Sequence, residues 1–97
     1  MNDYILLMHN DARENEDNAA WESYLTGLRT TGQFDGGSSI GTGICLSKAK
    51  EPGARSDHLV GFLRVRANTL DEACAFVIGN PVYEAGGTVE VRQLPHD

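Results

Sequence analysis

The chain is poor in the residues that mark specialised proteins. Its 97 residues include two cysteines, three prolines, three histidines and a single tryptophan. Cys45 and Cys74 have no metal-ligand spacing. They fall inside a predicted strand and a predicted helix, where thiols act as small hydrophobes, so a reducing cytoplasm is the expected setting. Basic residues are outnumbered, 8 against 14 acids, for a net charge of −6. That balance disfavours a nucleic-acid or anionic-membrane partner. No apolar run approaches the ~20 residues of a membrane span, and the N-terminal stretch lacks the basic flank and apolar core of a leader. What is present is 40% hydrophobic residues, enough for one globular domain over residues 1–97 with a modest core.

Periodicity assigns the elements. "DYILLMH" (Asp3 to His9) is apolar on both faces, with Tyr4, Leu6 and Met8 opposite Ile5, Leu7 and His9, as in a central strand covered on both sides. Trp21, Tyr24, Leu25 and Leu28 repeat with helical spacing, Gly32 supplies a left-handed cap, and Asn15, Asp17 or Asn18 can begin the helix. Gln33 to Lys50 reads as one glycine-rich strand region, bent or bulged. "KEPGARSD" is a turn and polar loop. His58 to Ala67 is a third strand, apolar on both faces in its first half. Thr69 and Glu72 fit a capping box, and Leu70, Ala73, Cys74 and Val77 form the buried stripe of a second helix. Gly79 caps it, Pro81 forbids its continuation, and Asn80 is held extended. Gly86-Gly87 then turns the chain into a last strand with Val89 and Val91 on one face.

The resulting order, βαββαβ, is the ferredoxin-like α+β unit, an antiparallel sheet with both helices on one side. Two helices cover one face only, so a second copy of the chain is the economical cover for the other, giving a homodimer.

The strand "DYILLMH", the Trp/Leu helix, the glycine-rich second strand and the ending "GNPVYEAGGTVEVRQLP" together resemble the YCII-related (YCII/DGPF) family. The resemblance spans nearly the whole chain and is strongest from Gly61 to Pro95. It implies a dimeric α+β barrel with a pocket between the open face of the sheet and the loops around it, and one branch of the family includes a dehydrochlorinase of chlorinated aromatics. A His-Asp pair is the proposed catalytic equipment of YCII members. Carried over, the histidine position is Trp21 and the aspartate position is Asn80, neither of which exchanges protons near neutral pH. The DGPF motif is replaced by "SKAKEPGARSDH".

The candidate site residues follow. His9 ends the first strand, either as a structural residue or as an acid-base group. Asn80 and Tyr83 flank Pro81, as turn chemistry and packing or as groups that orient a polar ligand. Trp21 is core, dimer interface or pocket wall. "DGGSSIGTG" (Asp35 to Gly43) lacks both the Lys-Ser/Thr end of a phosphate loop and a following helix, and Ser38 and Ser39 have no nucleophile-activating partner in the pattern; Ser38 is kept as a ligand-binding candidate. His58 and His96 are expected in solvent, and three scattered histidines give no metal site. RNA stacking fails for want of aromatics on the third strand, which offers only Phe62, and of a basic face. The expected function is the binding of a small organic molecule without a cofactor. The alternative is a cofactor-free lyase or hydrolase, dehydrochlorinase-like, that uses His9 with Asp35, Ser38 or Tyr83.

Overall fold

A computed structural model describes residues 1–96. Four strands, β1 (Asn2–His9), β2 (Phe34–Ser39), β3 (Leu59–Ala67) and β4 (Val89–Leu94), form one sheet of order β2-β3-β1-β4. Every neighbouring pair is antiparallel. Helices α1 (Asn18–Thr30) and α2 (Leu70–Ala75) make the two crossovers, and a single turn, α3 (Pro81–Glu84), precedes β4. This is the expected ferredoxin-like α+β topology.

Strand alternation places the core. Tyr4, Leu6 and Met8 of β1 and Leu63, Val65 and Ala67 of β3 are buried. They join Leu28, Ala73, Val77 and Val82 in one cluster. Ile5, Leu7 and Phe62, on the other side of the same strands, are half-buried, and no helix covers them. The central positions of β1 and β3 thus explain why both sequences are apolar on both faces.

The local signals act largely as predicted. Asp17 caps α1 by accepting from the Ala19 amide at 2.9 Å, and Thr69 caps α2 through the Glu72 amide at 3.1 Å. Gly32 and Gly79 adopt φ of 72° and 87°, the left-handed region that favours glycine. Three expectations need correction. Strand β2 stops at Ser39 instead of reaching Lys50, because Ser39 already pairs with Gly61 near the start of β3 and little partner strand remains. Leu70 and Cys74 are exposed; α2 ends after six residues, and Ala73 and Val77 carry its buried side. Helix α2 has already ended at Ala75 with Phe76 as its cap, before Gly79 and Pro81; Pro81 instead begins a helical turn, since its missing N–H and fixed φ suit the first helical position.

Candidate functional site

A cleft of about 670 Å³ lies between α1 and the β2–β3 side of the sheet, on the helix-covered face and not on the open face where the resemblance implied a pocket. Its walls are Trp21 and Leu25 from α1, Phe34 from β2 and Val82 from α3, with Met8 and Leu63 on the sheet. The apolar stripe that docks α1 therefore does two jobs. Leu28 goes fully into the core, while Trp21 and Leu25, nearer the start of the helix, stay half-buried along the opening.

The glycines of β2 shape the floor. The strand register slips between Phe34 and Gly37, and Gly36 has φ 95°, a bulge that L side chains resist. A Cβ on Gly37 would stand 2.3 Å from the Phe62 carbonyl oxygen, so only glycine permits this backbone approach. The expectation of a bulged, closely packed second strand is met in its first six residues.

Polar groups are few. Glu16, Asn18, Arg29, Ser38 and Ser39 reach the cleft. The Trp21 indole donates to Glu16 Oε1 at 2.9 Å, which fixes the ring's orientation, and Tyr24 meets it edge-to-face at 6.0 Å. Ser38 Oγ donates to the Ser39 carbonyl at 2.9 Å. No histidine or cysteine lines the cleft.

Asn80 is 0% exposed and is the one buried polar residue among those described. Its Oδ1 accepts from the Val82 amide at 2.9 Å and the Tyr83 amide at 3.3 Å, and its Nδ2 lies 3.6 Å from Met8 Sδ. The amide is thus occupied as the cap of α3. It also faces Tyr24, whose hydroxyl donates to the Phe76 carbonyl. Burial pushes the Tyr24 phenol above its ordinary value, with the Asn80 contact opposing in part. Tyr83 points away from this knot and is 45% exposed.

His9 lies elsewhere, on the helix-free face. Its Nε2 is 3.1 Å from Glu90 Oε1, and the exposed His58 meets its ring edge-to-face at 5.0 Å. Glu90 also accepts from Arg92 at 3.1 Å. Its carboxyl sits below the ordinary carboxylate value, chiefly through the His9 bond and then through Arg92. Asp11 is likewise held low, by the Thr88 hydroxyl and amide. The sequence supplied Asp35, Ser38 and Tyr83 as helpers for His9. Asp35 instead pairs with Arg66 at 3.0 Å, and the carboxylate beside His9 is Glu90. Alternation could have found it: with Val89 and Val91 turned to the helices, Glu90 must share the face of Leu7, its register partner. His96 is exposed as expected, 70% of its side chain in solvent, and pairs there with Asp3 at 2.7 Å. Among the described residues no group of three His, Cys, Asp or Glu side chains is placed to hold a metal, and no helix is long and apolar enough to cross a membrane.

Sheet order, crossover helices and a cleft beneath the first helix define a ferredoxin-like α+β protein with room for a small molecule. Among solved structures the chain is similar to the 5-chloro-2-hydroxyhydroquinone dehydrochlorinase of Burkholderia phenoliruptrix AC1100, in its complex with 2,5-dihydroxybenzoquinone. The TM-score is 0.58 over 98% of this chain and 95% of that one, at 19% identity, so the likeness is one of fold. No family model matches the chain, and no curated protein matches it in sequence.

Proposed function

We propose that this chain is a YCII-related binding protein that holds a small, flat organic molecule in the cleft beneath α1 and carries out no proton chemistry there. The cleft carries the reading. Its volume falls within the ~300–1,000 Å³ of small-molecule sites, and its aromatic and aliphatic walls with a few polar groups match their usual chemistry. The quinone held by the structural neighbour supports a planar ligand. The sequence resemblance supports the family, and with it a homodimer formed through the helix-free face around Ile5, Leu7 and Phe62. The unpaired Cys45 and Cys74 favour a reducing, cytoplasmic setting. Trp21 and Asn80 stand where the family's proton-transfer pair is expected, and Asn80 is consumed by its cap.

A thermal-shift screen of hydroxylated aromatics and quinones, followed by calorimetry, tests the reading. A hit should bind with Kd nearly constant between pH 5.5 and 8, once ionising ligands are set aside. Trp21→Ala should weaken it by more than tenfold, or ~1.4 kcal/mol. Indifference to Trp21→Ala would remove the cleft as the site, and a monomer in sedimentation equilibrium would remove the dimer. One observation favours a second reading: His9 does have a carboxylate partner, the arrangement that orients an imidazole for general base work. If a hit is turned over with a histidine-like pH profile that His9→Gln abolishes, the chain is a cofactor-free enzyme of the lyase or hydrolase type.

A further inference from the structure

Between the end of β2 and the start of β3 the chain runs through residues 40–58 without helix or strand. Its base is held, not free. The Ile40 amide donates to the Val60 carbonyl at 2.9 Å, and Asn10 Nδ2 donates to the Asp57 carbonyl at 3.2 Å. Arg55 ties the two limbs together by donating to the Gly43 carbonyl at 2.8 Å while pairing with Asp57. On this fixed arm Ile40, Thr42, Ile44 and Leu46 alternate with period two, the pattern of a strand with one apolar side. Yet Ile44 is 82% and Leu46 85% exposed. An apolar row on an organised projection has no function in a lone chain, and it is a hazard there unless something covers it.

Charge indicates the cover. The arm carries Lys48, Lys50 and Arg55 against Glu51 and Asp57, within a chain of net charge −6; Arg55 is paired with Asp57, so Lys48 and Lys50 are the cations it presents. The acids concentrate elsewhere: Glu14, Glu16 and Asp17 lead into α1, and Glu22 lies in its first turns. Of these only Glu16 lines the cleft, beside Trp21 and with Arg29 also in the lining, so the acids cluster on the segment that leads into α1, at one end of an apolar opening. An arm that presents two lysines and an apolar row is complementary to that acidic segment and that opening.

We propose that the arm is a clasp for a second copy of this chain. Its row, Ile44 and Leu46, seats against the partner's cleft mouth, and Lys48 and Lys50 meet the acids that lead into the partner's α1. A reciprocal exchange between two copies closes with two-fold symmetry. The clasp depends on the shape and charge of the cleft mouth. It does not rest on the ligand assigned above, nor on pairing through the helix-free face.

The test uses the full chain carrying Cys74→Ser, so that Cys45, between Ile44 and Leu46, is the one reporting thiol. Over a roughly hundredfold range of protein concentration, Cys45 labelling should slow by about tenfold as association sets in. Ile44→Asp with Leu46→Asp should keep the fold, since both side chains are exposed, should label fast throughout, and should weaken self-association by at least tenfold in sedimentation equilibrium. Lys48→Glu with Lys50→Glu should also weaken it, and adding Glu14→Lys with Glu22→Lys should restore it. Labelling that is independent of concentration, or association unchanged in the Ile44/Leu46 variant, overturns the clasp. A dimer that persists unchanged in that variant while Leu7→Asp dissociates it leaves the helix-free-face dimer standing and removes the clasp alone.

Discussion

The cleft beneath α1 and the His9–Glu90 patch divide between them what an active site usually combines. The cleft has walls, volume and an oriented tryptophan, but among the described residues no histidine lines it and its one carboxylate, Glu16, is bonded to the indole. The patch has an imidazole, a partnered carboxylate and a second histidine ring, but it lies on the open side of the sheet. One layer of strands separates them. Met8 and His9 are chain neighbours, yet one lines the cleft while the other bonds to Glu90. Strand alternation alone assigned the two functions to opposite faces. One sheet can thus carry a cleft of small-molecule size on one face and an imidazole–carboxylate pair on the other.

The largest effect expected from breaking this division is at the cleft floor. Gly37→Val should destabilise by about 3 kcal/mol and abolish ligand binding, because the new side chain meets the Phe62 backbone. Paired denaturant melts measure it, and a cost below that of an ordinary surface change would mean that β2 can move away. Next comes Asn80→Ala, expected to cost ~1–2 kcal/mol through loss of a buried cap. Any loss of ligand affinity beyond that of the weakened fold would restore Asn80 as a contact.

Smaller effects belong to the patch. His9→Gln should change cleft affinity by less than about threefold, under 1 kcal/mol. A larger change would show that the two faces communicate. The smallest concerns acid stability. Glu90 and Asp11 are held below their ordinary values of 4.5 and 3.8. Their contributions are therefore present above those values and are lost as pH falls through the lower folded-state values. Glu90→Gln should flatten the acid limb of a melting-temperature profile below about pH 4.5 and leave the neutral plateau nearly unchanged. A variant whose acid limb superimposes on that of the wild type would deny the His9–Glu90 bond any part in stability.

Local chemistry was the legible part. Asp17, Thr69 and Gly32 each announce a helix end through one residue's backbone or side-chain preference, whereas Gly79, though left-handed, lies beyond the Phe76 cap of α2; two-sided apolarity marks β1 and β3 as central. Where the reading failed, the deciding fact was non-local. Ile40 to Leu46 alternates as a strand should, but beyond the Ile40–Val60 bond β3 has almost no residues left to pair with it. Glu90 meets His9 only because strands far apart in sequence become neighbours. Trp21 is a different case: its helical spacing is visible, but that the stripe overhangs an opening depends on the bulge in β2. Pro81 read as a stop, yet it starts a helical turn that the Asn80 side chain caps.

The position of β1 also governs the timing of folding. It needs β3 on one side and β4 on the other, and its pairs include Leu6 with Leu63 and Asp3 with Leu94. On the ribosome, at ~5–20 residues per second, the strand emerges first and waits on the order of ten seconds for its last neighbour. Through that interval Ile5 and Leu7 on one side, and Leu6 and Met8 on the other, are open to any passing chain. Contacts so distant in sequence also predict refolding in milliseconds to seconds instead of microseconds. The nascent chain's exposure to chaperones is thus set by the sheet order β2-β3-β1-β4.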